Sequence, residues 1–257
     1  MIILKKHKQI LEQYIFVNKS VLGAFYGGSI ARNDSDIYSD IDLRILIDES
    51  LDKNEILMEF INLFEDKLFI ESQDDGFVVL HLKNLLKIDI FVFYAKDLSP
   101  SIWLSNICII KVNTNFLEYI KFNSEDVVRV TPERITSASN KFLAYLIESY
   151  KRYERNEIYY VDYSINMMSN ILCHLWYLRL GEEPNVIGDW SKYEGNRTKL
   201  KDNEIKILNT ILSKDYFEQR EYLSKEFLKV LRDIDKQYNF NNFKDKEYIV
   251  NLIFSNL

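Results

Sequence analysis

The chain has 257 residues, with 33 Lys and Arg against 39 Asp and Glu, which gives a formal net charge of -6. A hydrophobic fraction of 47% and a charged fraction of 28% exclude disordered and fibrous proteins and predict one large or two modest globular domains. The two cysteines, Cys108 and Cys173, lie far apart in the sequence, which excludes a disulfide scaffold and a zinc module. No apolar run approaches the roughly 18 residues of a membrane span, which excludes a membrane protein. We therefore expect a cytoplasmic protein.

Apolar periodicity in the first 125 residues predicts helices and strands in mixed order. The predicted elements are, in chain order, a helix over 4–17, a strand over 21–26, a turn and short helix over 27–32, a strand over 40–47, a helix over 51–66, a hairpin of strands over 69–73 and 77–83, and a strand over 86–94. Strands flanked by helices predict a sheet with helices packed on it. We expect an α/β domain with a mixed sheet over residues 1–125.

The second half of the chain lacks strand signals and carries helical patterns. The predicted helices cover 135–155, 162–180, 203–213, 215–238 and 245–254. Gly181 and Pro184 follow the second of them, as is usual where a helix ends. We expect an all-α bundle over residues 126–257.

The acidic surplus lies entirely in the first half. Residues 1–125 hold 13 basic and 19 acidic side chains, whereas residues 126–257 hold 20 of each. A protein face that binds long nucleic acid carries a basic surplus to neutralise phosphates. Neither half has one, so we expect no long nucleic-acid partner. Clustered aspartates are suited instead to divalent cations.

Three aspartates are the strongest candidate for a chemical site. Asp40 and Asp42 lie two residues apart on a predicted strand, so both carboxylates are expected on the same face of the sheet. Asp89 is a charge in an apolar strand, where it is costly unless it is paired or bound to a metal. Carboxylates from neighbouring strands offer hard oxygen ligands to Mg²⁺. Two such ions roughly 3.5–4 Å apart can hold a triphosphate and activate an attacking hydroxyl.

A Gly-Gly-Ser turn over residues 27–29 precedes these aspartates and lets backbone N–H groups and a hydroxyl approach phosphate oxygens. The segments GGSIARNDSDIYSDIDL and KIDIF together resemble the nucleotidyltransferase signature of the DNA polymerase β superfamily. The resemblance implies transfer of a nucleoside monophosphate from a nucleoside triphosphate to an acceptor, with release of pyrophosphate. The residues it implies are the metal ligands Asp40, Asp42 and Asp89 and the phosphate contacts Gly28, Ser29 and Arg32.

Residues 141–193 are similar to the helical domain of bacterial aminoglycoside (streptomycin) 6-adenylyltransferases, in which a basic and aromatic helix precedes a long helix and a Gly-containing break. The similarity implies that the second domain binds the substrate. It also implies transfer of AMP from ATP to a hydroxyl of a small polar acceptor, an aminoglycoside-type antibiotic, and so a role in antibiotic resistance. The signature departs from that group where SDIDL replaces a less regular acidic pair, so the acceptor stays open.

A general base is expected on the first long helix of the second half. Glu148 and Arg152 are four residues apart and point the same way, as does the acid-then-base pair of aminoglycoside nucleotidyltransferases. That pair implies a catalytic Glu148 that faces the acceptor and an Arg152 that reaches the triphosphate. A solvated ion pair explains the same spacing, in which case Asp162 or Glu157 becomes the candidate base.

Two further cations have alternative interpretations. Arg44 shares a face with Asp42, so it either reaches the nucleotide or forms a structural ion pair. Lys192 follows a break at Gly188 and either reaches a phosphate or is a solvated lysine.

Three other functions stay open. The acceptor can be a protein hydroxyl, as in protein-modifying or antitoxin-type nucleotidyltransferases. A nucleic-acid enzyme of the same superfamily is disfavoured by the missing basic surplus. A catalytically silent nucleotide-binding module is disfavoured by the presence of all three aspartates. The sequence leaves the preferred nucleotide and the oligomeric state, monomer or dimer, open.

Overall fold

A computed structural model describes residues 2–112, 114–125 and 127–256. The chain divides into two compact units, Met1–Val127 and Val128–Leu257. Each unit has its own hydrophobic core, and each is described by itself below. Within the described ranges, every helix is too short or too polar to cross a bilayer.

The first unit is a six-stranded mixed sheet with helices. Its elements are α1 (Ile2–Val17), β1 (Val21–Tyr26), α2 (Gly28–Ala31), β2 (Ile41–Ile47), α3 (Lys53–Ile61), β3 (Lys67–Asp74), β4 (Phe77–Leu82), β5 (Lys87–Phe93), β6 (Cys108–Val112) and α4 (Phe116–Asn123). The strand order across the sheet is β3-β4-β5-β2-β1-β6. The pair β2–β5 is parallel and the other pairs are antiparallel. The predicted mixed sheet is confirmed.

Buried and half-buried residues alternate along the first part of β2, and this alternation shows which side chains lie on each face of the sheet. Ile41, Leu43 and Ile45 are fully buried and belong to a core that includes apolar residues of α1 and α3. Because successive side chains on a strand point to opposite faces, Asp42 and Arg44 lie on the other face. The same alternation on β5 buries its isoleucines and leaves its polar residues half-buried.

The second unit is a helical bundle, as predicted. Its helices are α5 (Pro132–Glu154), α6 (Ile158–Leu180), α7 (Asp202–Ile211), α8 (Tyr216–Tyr238) and α9 (Phe243–Ser255). Most of α6 is buried in the core of the unit, and Phe142 of α5 stacks on Phe227 of α8 with ring centroids 4.0 Å apart. Gly181 ends α6 with a φ of +73°, which confirms the predicted C-terminus of that helix.

Several boundaries differ from the prediction because capping side chains fix them. The α3 helix begins after Asp52, whose side chain accepts hydrogen bonds from the N–H groups of Asn54 and Glu55. The α5 helix begins three residues earlier than predicted, because Thr131 caps it and Pro132 fits its first turn. The strand β6 and the helix α4 were not predicted.

Candidate active site

The parallel register of β2 and β5 brings two of the three aspartates together. Asp42 lies directly opposite Asp89, and their neighbours Ile41 and Ile88 are likewise paired and fully buried on the other face. Paired residues of adjacent strands share a face, so both carboxylates lie on the same side of the sheet. The convergence expected of these two residues is therefore present.

Asp40 is placed differently from the expectation. It lies one residue before β2, and its side chain is 44% exposed. Its contact with the pair runs through Lys87, whose Nζ is 3.3 Å from an oxygen of Asp40 and 3.3 Å from Oδ2 of Asp89. Across the described parts of the chain, no three acidic, His or Cys side chains are grouped closely enough to hold a metal ion. The described residues therefore do not form the expected three-carboxylate cage, and the ammonium of Lys87 bridges Asp40 and Asp89.

Asp89 is the most enclosed of the three carboxylates. Its side chain is 17% exposed, and its Oδ1 is buried without a hydrogen-bond partner among the described residues. Burial raises the pKa of Asp89, and the nearby Asp42 raises it further. Lys87 and Arg44 lower the pKa of Asp89, but the net shift is upward. A buried carboxylate oxygen without a hydrogen-bond partner is available to coordinate a cation.

The ammonium of Lys87 is held in its charged form by the same cluster. Burial lowers the pKa of Lys87, but Asp89 and Asp40 outweigh it and the net shift is upward. Lys87 was not singled out from the sequence. The available signal was its place two residues before Asp89 on one strand, which puts both side chains on one face.

The glycine turn packs directly against Asp42. Gly28 has a φ of +57°, and a Cβ on it would lie 1.9 Å from Oδ2 of Asp42. Gly27 donates its backbone N–H to the carbonyl oxygen of Asp42 at 2.9 Å, which ties the turn to β2. Ser29 is buried in the short helix that follows. Only glycine fits at position 28, both for conformation and for space.

The two arginines near the site already have partners. Arg44 places Nη2 3.8 Å from Oδ1 of Asp42 and its guanidinium 3.9 Å from the centroid of the Phe91 ring. Burial lowers the pKa of Arg44, although Asp42 and Asp89 raise it. Arg32 pairs with Asp34, with Nε 3.2 Å from Oδ2. The predicted nucleotide contacts of both arginines stay predictions.

The donor chemistry of this cluster fits Mg²⁺. Asp42 and Asp89 present carboxylate oxygens, the ligands that hard cations prefer, and one of these oxygens is buried and unpaired. The missing Cβ of Gly28 lets the backbone of the turn lie directly against the Asp42 carboxylate. Asp40 completes the set if Lys87 leaves the space between Asp40 and Asp89.

The expected base in the helical unit lies in a network of charges. Oε2 of Glu148 accepts from Nε of Arg152 at 3.0 Å, and Oε1 lies 3.5 Å from Nζ of Lys151. Arg152 also donates to Glu157 at 2.7 Å. The Arg152 hydrogen bond lowers the pKa of Glu148 and outweighs the opposing effect of burial, so Glu148 is a weaker base while it is paired in this way. Asp162 accepts a hydrogen bond from the hydroxyl of Tyr216 at 2.6 Å.

Lys192 lies in the segment after α6. Its backbone has a φ of +70°, and its carbonyl accepts a hydrogen bond from the hydroxyl of Tyr177 at 2.5 Å. That hydrogen bond fixes its backbone. The predicted phosphate contact of its side chain stays a prediction.

Two cavities, of about 560 and 500 Å³, lie within the helical unit. The larger is lined by Arg220, which is 3% exposed and whose guanidinium lies 5.9 and 5.5 Å from the ring centroids of Tyr150 and Tyr153. Its Nη1 donates to the carbonyl of Ser149 at 3.3 Å. The aspartates at positions 40, 42 and 89 line neither cavity. Arg220 was not singled out from the sequence, because no motif surrounds it.

Replacing Asp89 by Asn should stabilise the metal-free protein at neutral pH. Because the folded-state pKa of Asp89 is raised, its ionisation opposes folding at neutral pH, and an amide removes that charge. The gain should shrink as pH falls through the raised pKa and vanish below about pH 4, where the unfolded chain is protonated as well. Thermal unfolding in EDTA from pH 4 to pH 8 measures it. Asp34→Asn is the control, and a gain independent of pH would contradict the expectation.

Comparisons of the sequence with known proteins do not identify a family for this chain. The chain matches no protein-family model and no curated protein. It is similar to a crystal structure of a nucleotidyltransferase-like protein from Exiguobacterium sibiricum 255-15, with a TM-score of 0.42 and 14% sequence identity. The similarity covers 88% of this chain and 73% of that chain. A similarity this low supports no conclusion about chemistry.

Proposed function

We propose that the chain is a magnesium-dependent nucleotidyltransferase. It transfers a nucleoside monophosphate, AMP from ATP, to a hydroxyl of a small polar acceptor. In this reaction the acceptor oxygen forms a bond to the α-phosphorus, the bond from that phosphorus to the bridging oxygen breaks, and pyrophosphate leaves. The hydroxyl proton passes to a base of the protein.

The observation that carries this proposal is the register of β2 and β5. It sets Asp42 beside Asp89 on one face of the sheet, and the turn at Gly28 packs against the first of these carboxylates. A turn with a bare backbone next to paired carboxylates suits a phosphate chain with its counter-ions. The order of these features along the chain is the one that the signature of the DNA polymerase β superfamily implies.

Asp42 and Asp89, joined by Asp40, are proposed to hold two Mg²⁺ ions. When bound, such ions neutralise phosphate charge and lower the pKa of an attacking hydroxyl. The protein supplies the carboxylates on a rigid sheet, so that the position of the α-phosphorus is fixed relative to the acceptor.

Contacts to the triphosphate are proposed on the glycine turn and on several cations. The turn offers its backbone N–H groups, and the guanidinium of Arg44 lies next to Asp42. Arg32, Arg44 and Arg152 must each exchange a present carboxylate partner for a phosphate, which carries more charge. The proposed contacts are Gly28, Ser29, Arg32, Arg44, Arg152 and Lys192.

The acceptor is proposed to be an aminoglycoside-type antibiotic. The acidic surplus of residues 1–125 supports a cationic acceptor, since opposite charges attract the substrate and raise its local concentration. A protein hydroxyl is the alternative acceptor. Residues of the helical unit are proposed to bind the acceptor, in keeping with the similarity of residues 141–193 to aminoglycoside 6-adenylyltransferases.

Glu148 is the proposed general base, and Glu148→Gln should lower kcat by roughly 10²–10⁴-fold. Release of Arg152 to the triphosphate removes the hydrogen bond that lowers the pKa of Glu148, so the carboxylate becomes a stronger base. Single-turnover kinetics with thermal unfolding separates chemistry from stability.

Glu221→Gln is the matched control, because Glu221 forms the same kind of i,i+4 ion pair, with Lys225 at 2.9 Å, on another helix of the unit. An unchanged kcat in the Glu148 variant would leave that residue as a surface ion pair and move the role to Asp162 or Glu157.

A catalytically silent nucleotide-binding module is the second candidate function. Lys87 favours it, because an ammonium between Asp40 and Asp89 supplies part of the charge that a metal ion would bring. Such a module would bind ATP without consuming it.

One experiment tests the proposed function and separates the candidates. The protein is incubated with labelled ATP and other nucleoside triphosphates, with Mg²⁺ or EDTA, against panels of aminoglycosides and lincosamides. The expected result is Mg²⁺-dependent release of pyrophosphate with label on an aminoglycoside. Label on a protein would favour the protein-hydroxyl acceptor. Nucleotide binding without pyrophosphate under all conditions would favour the silent module and overturn the proposed transfer.

A further inference from the structure

The side chain of Lys87 occupies the position between two carboxylates where a divalent cation is needed. Its Nζ is 3.3 Å from both Asp40 and Asp89. Among the described residues these are the only acceptors of its ammonium, which carries three donors. Asp89 therefore keeps one oxygen buried and unpaired while the other binds Lys87. One ammonium therefore satisfies only part of the charge and hydrogen-bonding capacity of the two carboxylates.

The geometry lets Lys87 leave without a change in the sheet. Lys87 is the first residue of β5, and β5 pairs with β4, so this pairing holds the Cα of Lys87 in place. The ammonium sits at the end of a flexible four-carbon stem, and the side chain is 31% exposed. Rotation of the stem is enough to move the charge from the carboxylates to solvent or to a bound phosphate.

We propose that Lys87 is a resident counter-ion that a divalent cation must displace. It keeps Asp40 and Asp89 together in the metal-free protein, where two carboxylates would otherwise repel each other. It also competes with the metal, since the cation binds only when the ammonium has left. The inference rests on the proposed metal dependence of the site.

Removal of the ammonium should therefore strengthen metal binding. In Lys87→Met the carboxylates lose their internal partner, so the metal-free state is less favourable and no ion pair is broken on binding. We expect affinity for Mn²⁺ to rise about tenfold, which corresponds to roughly 1.4 kcal/mol. The metal-free variant should unfold at a lower temperature than the natural protein.

Mn²⁺ binding to the full chain, followed by electron paramagnetic resonance of the free ion, measures this directly and needs no substrate. Lys83→Met is the matched control, because Lys83 is exposed in the turn between β4 and β5 and its loss changes the net charge equally. Lys87→Arg keeps the charge and should bind Mn²⁺ no more tightly than the natural protein.

The outcomes separate this inference from the proposed function. Tighter Mn²⁺ binding in Lys87→Met alone supports the inference. Equal binding by the natural protein and Lys87→Met overturns it and leaves metal binding intact. Binding by Lys87→Met but not by the natural protein would show that the ammonium excludes the cation, and it overturns both the displacement and the metal dependence of the natural chain. No binding by any variant overturns both.

A second measurement uses the natural protein and does not depend on the folding of a variant. Nitrogen-15 NMR of the lysine ammonium groups should show the Lys87 signal lost or shifted on addition of Mg²⁺, because its carboxylate hydrogen bonds break. Lys53, bound to Asp97 at 2.7 Å, should be unaffected. A Lys87 signal unchanged at saturating Mg²⁺ overturns the proposal.

Discussion

Replacing Asp42 by Asn should lower Mg²⁺-dependent turnover by at least about 10³-fold. A metal ion contributes several kcal/mol of charge stabilisation in the transition state, and each 1.36 kcal/mol is a factor of ten in rate. The amide keeps the shape of the carboxylate but not its charge. Pyrophosphate release with saturating ATP and acceptor measures the loss.

The same substitution should leave the fold intact. Asp42 lies beside Asp89, and without a metal the two carboxylates repel each other, so the neutral amide relieves that repulsion. Thermal unfolding in EDTA should give a Tm equal to or above that of the natural protein. Asp48→Asn, just beyond the end of β2, is the control for loss of one charge. Full activity in Asp42→Asn would show that this carboxylate holds no catalytic metal.

Replacing Gly28 by Ala should damage both stability and activity. The new Cβ would lie 1.9 Å from Oδ2 and 2.9 Å from Cγ of Asp42, so the carboxylate must move. A displacement near 1 Å in a catalytic group can cost about 10²-fold in rate. A non-glycine residue at a φ of +57° costs a further 1–2 kcal/mol or so. Turnover and calorimetric Tm measure the two effects, and we expect a decrease of about 2–8 °C.

Gly27→Ala is the matched control for the glycine turn. A Cβ at position 27 meets only Cβ of Asp42, at 3.7 Å, which is an ordinary contact. The φ of Gly27 is -100°, which any residue adopts. Its Tm should stay close to that of the natural protein. Equal Tm values for the two variants would show that the turn does not constrain Asp42.

The elements that depend on local pattern were predictable from the sequence. Alternation from Asp40 to Ile47 indicated β2, and the Asp74-Asp75-Gly76 turn indicated the hairpin of β3 and β4, where Gly76 has a φ of +69°. The helices of the bundle followed from apolar spacing. In each case the information lies within about ten residues of the element.

The strand β6 was missed because its state depends on a distant partner. Its five residues are exposed or half-buried, so they carry no clear alternation. It is a strand because it pairs with β1, with Tyr26 opposite Cys108 and Gly23 opposite Val112. No pattern within β6 itself indicates that pairing.

The convergence of Asp42 and Asp89 was predictable from the sequence, but Lys87 and its contacts were not. The spacing of the aspartates pointed to Asp42 and Asp89, and the register places them side by side. The ion pair of Lys87 with Asp40 joins residues on different parts of the chain, and the sequence holds no sign of it. The roles of the three aspartates, and of the cations near them, remain predictions.

The parallel pairing of β2 with β5 has a consequence for the order of folding. Parallel neighbours require a long crossover, and here α3 and the hairpin of β3 and β4 lie between the two strands. Contacts between residues distant in sequence form slowly, because loop-closure entropy is lost first. The carboxylates of Asp42 and Asp89 therefore meet only when this crossover closes. A nascent chain that ends before β5 carries the glycine turn and Asp42 but lacks Asp89, so the proposed cation site forms only once β5 has paired with β2.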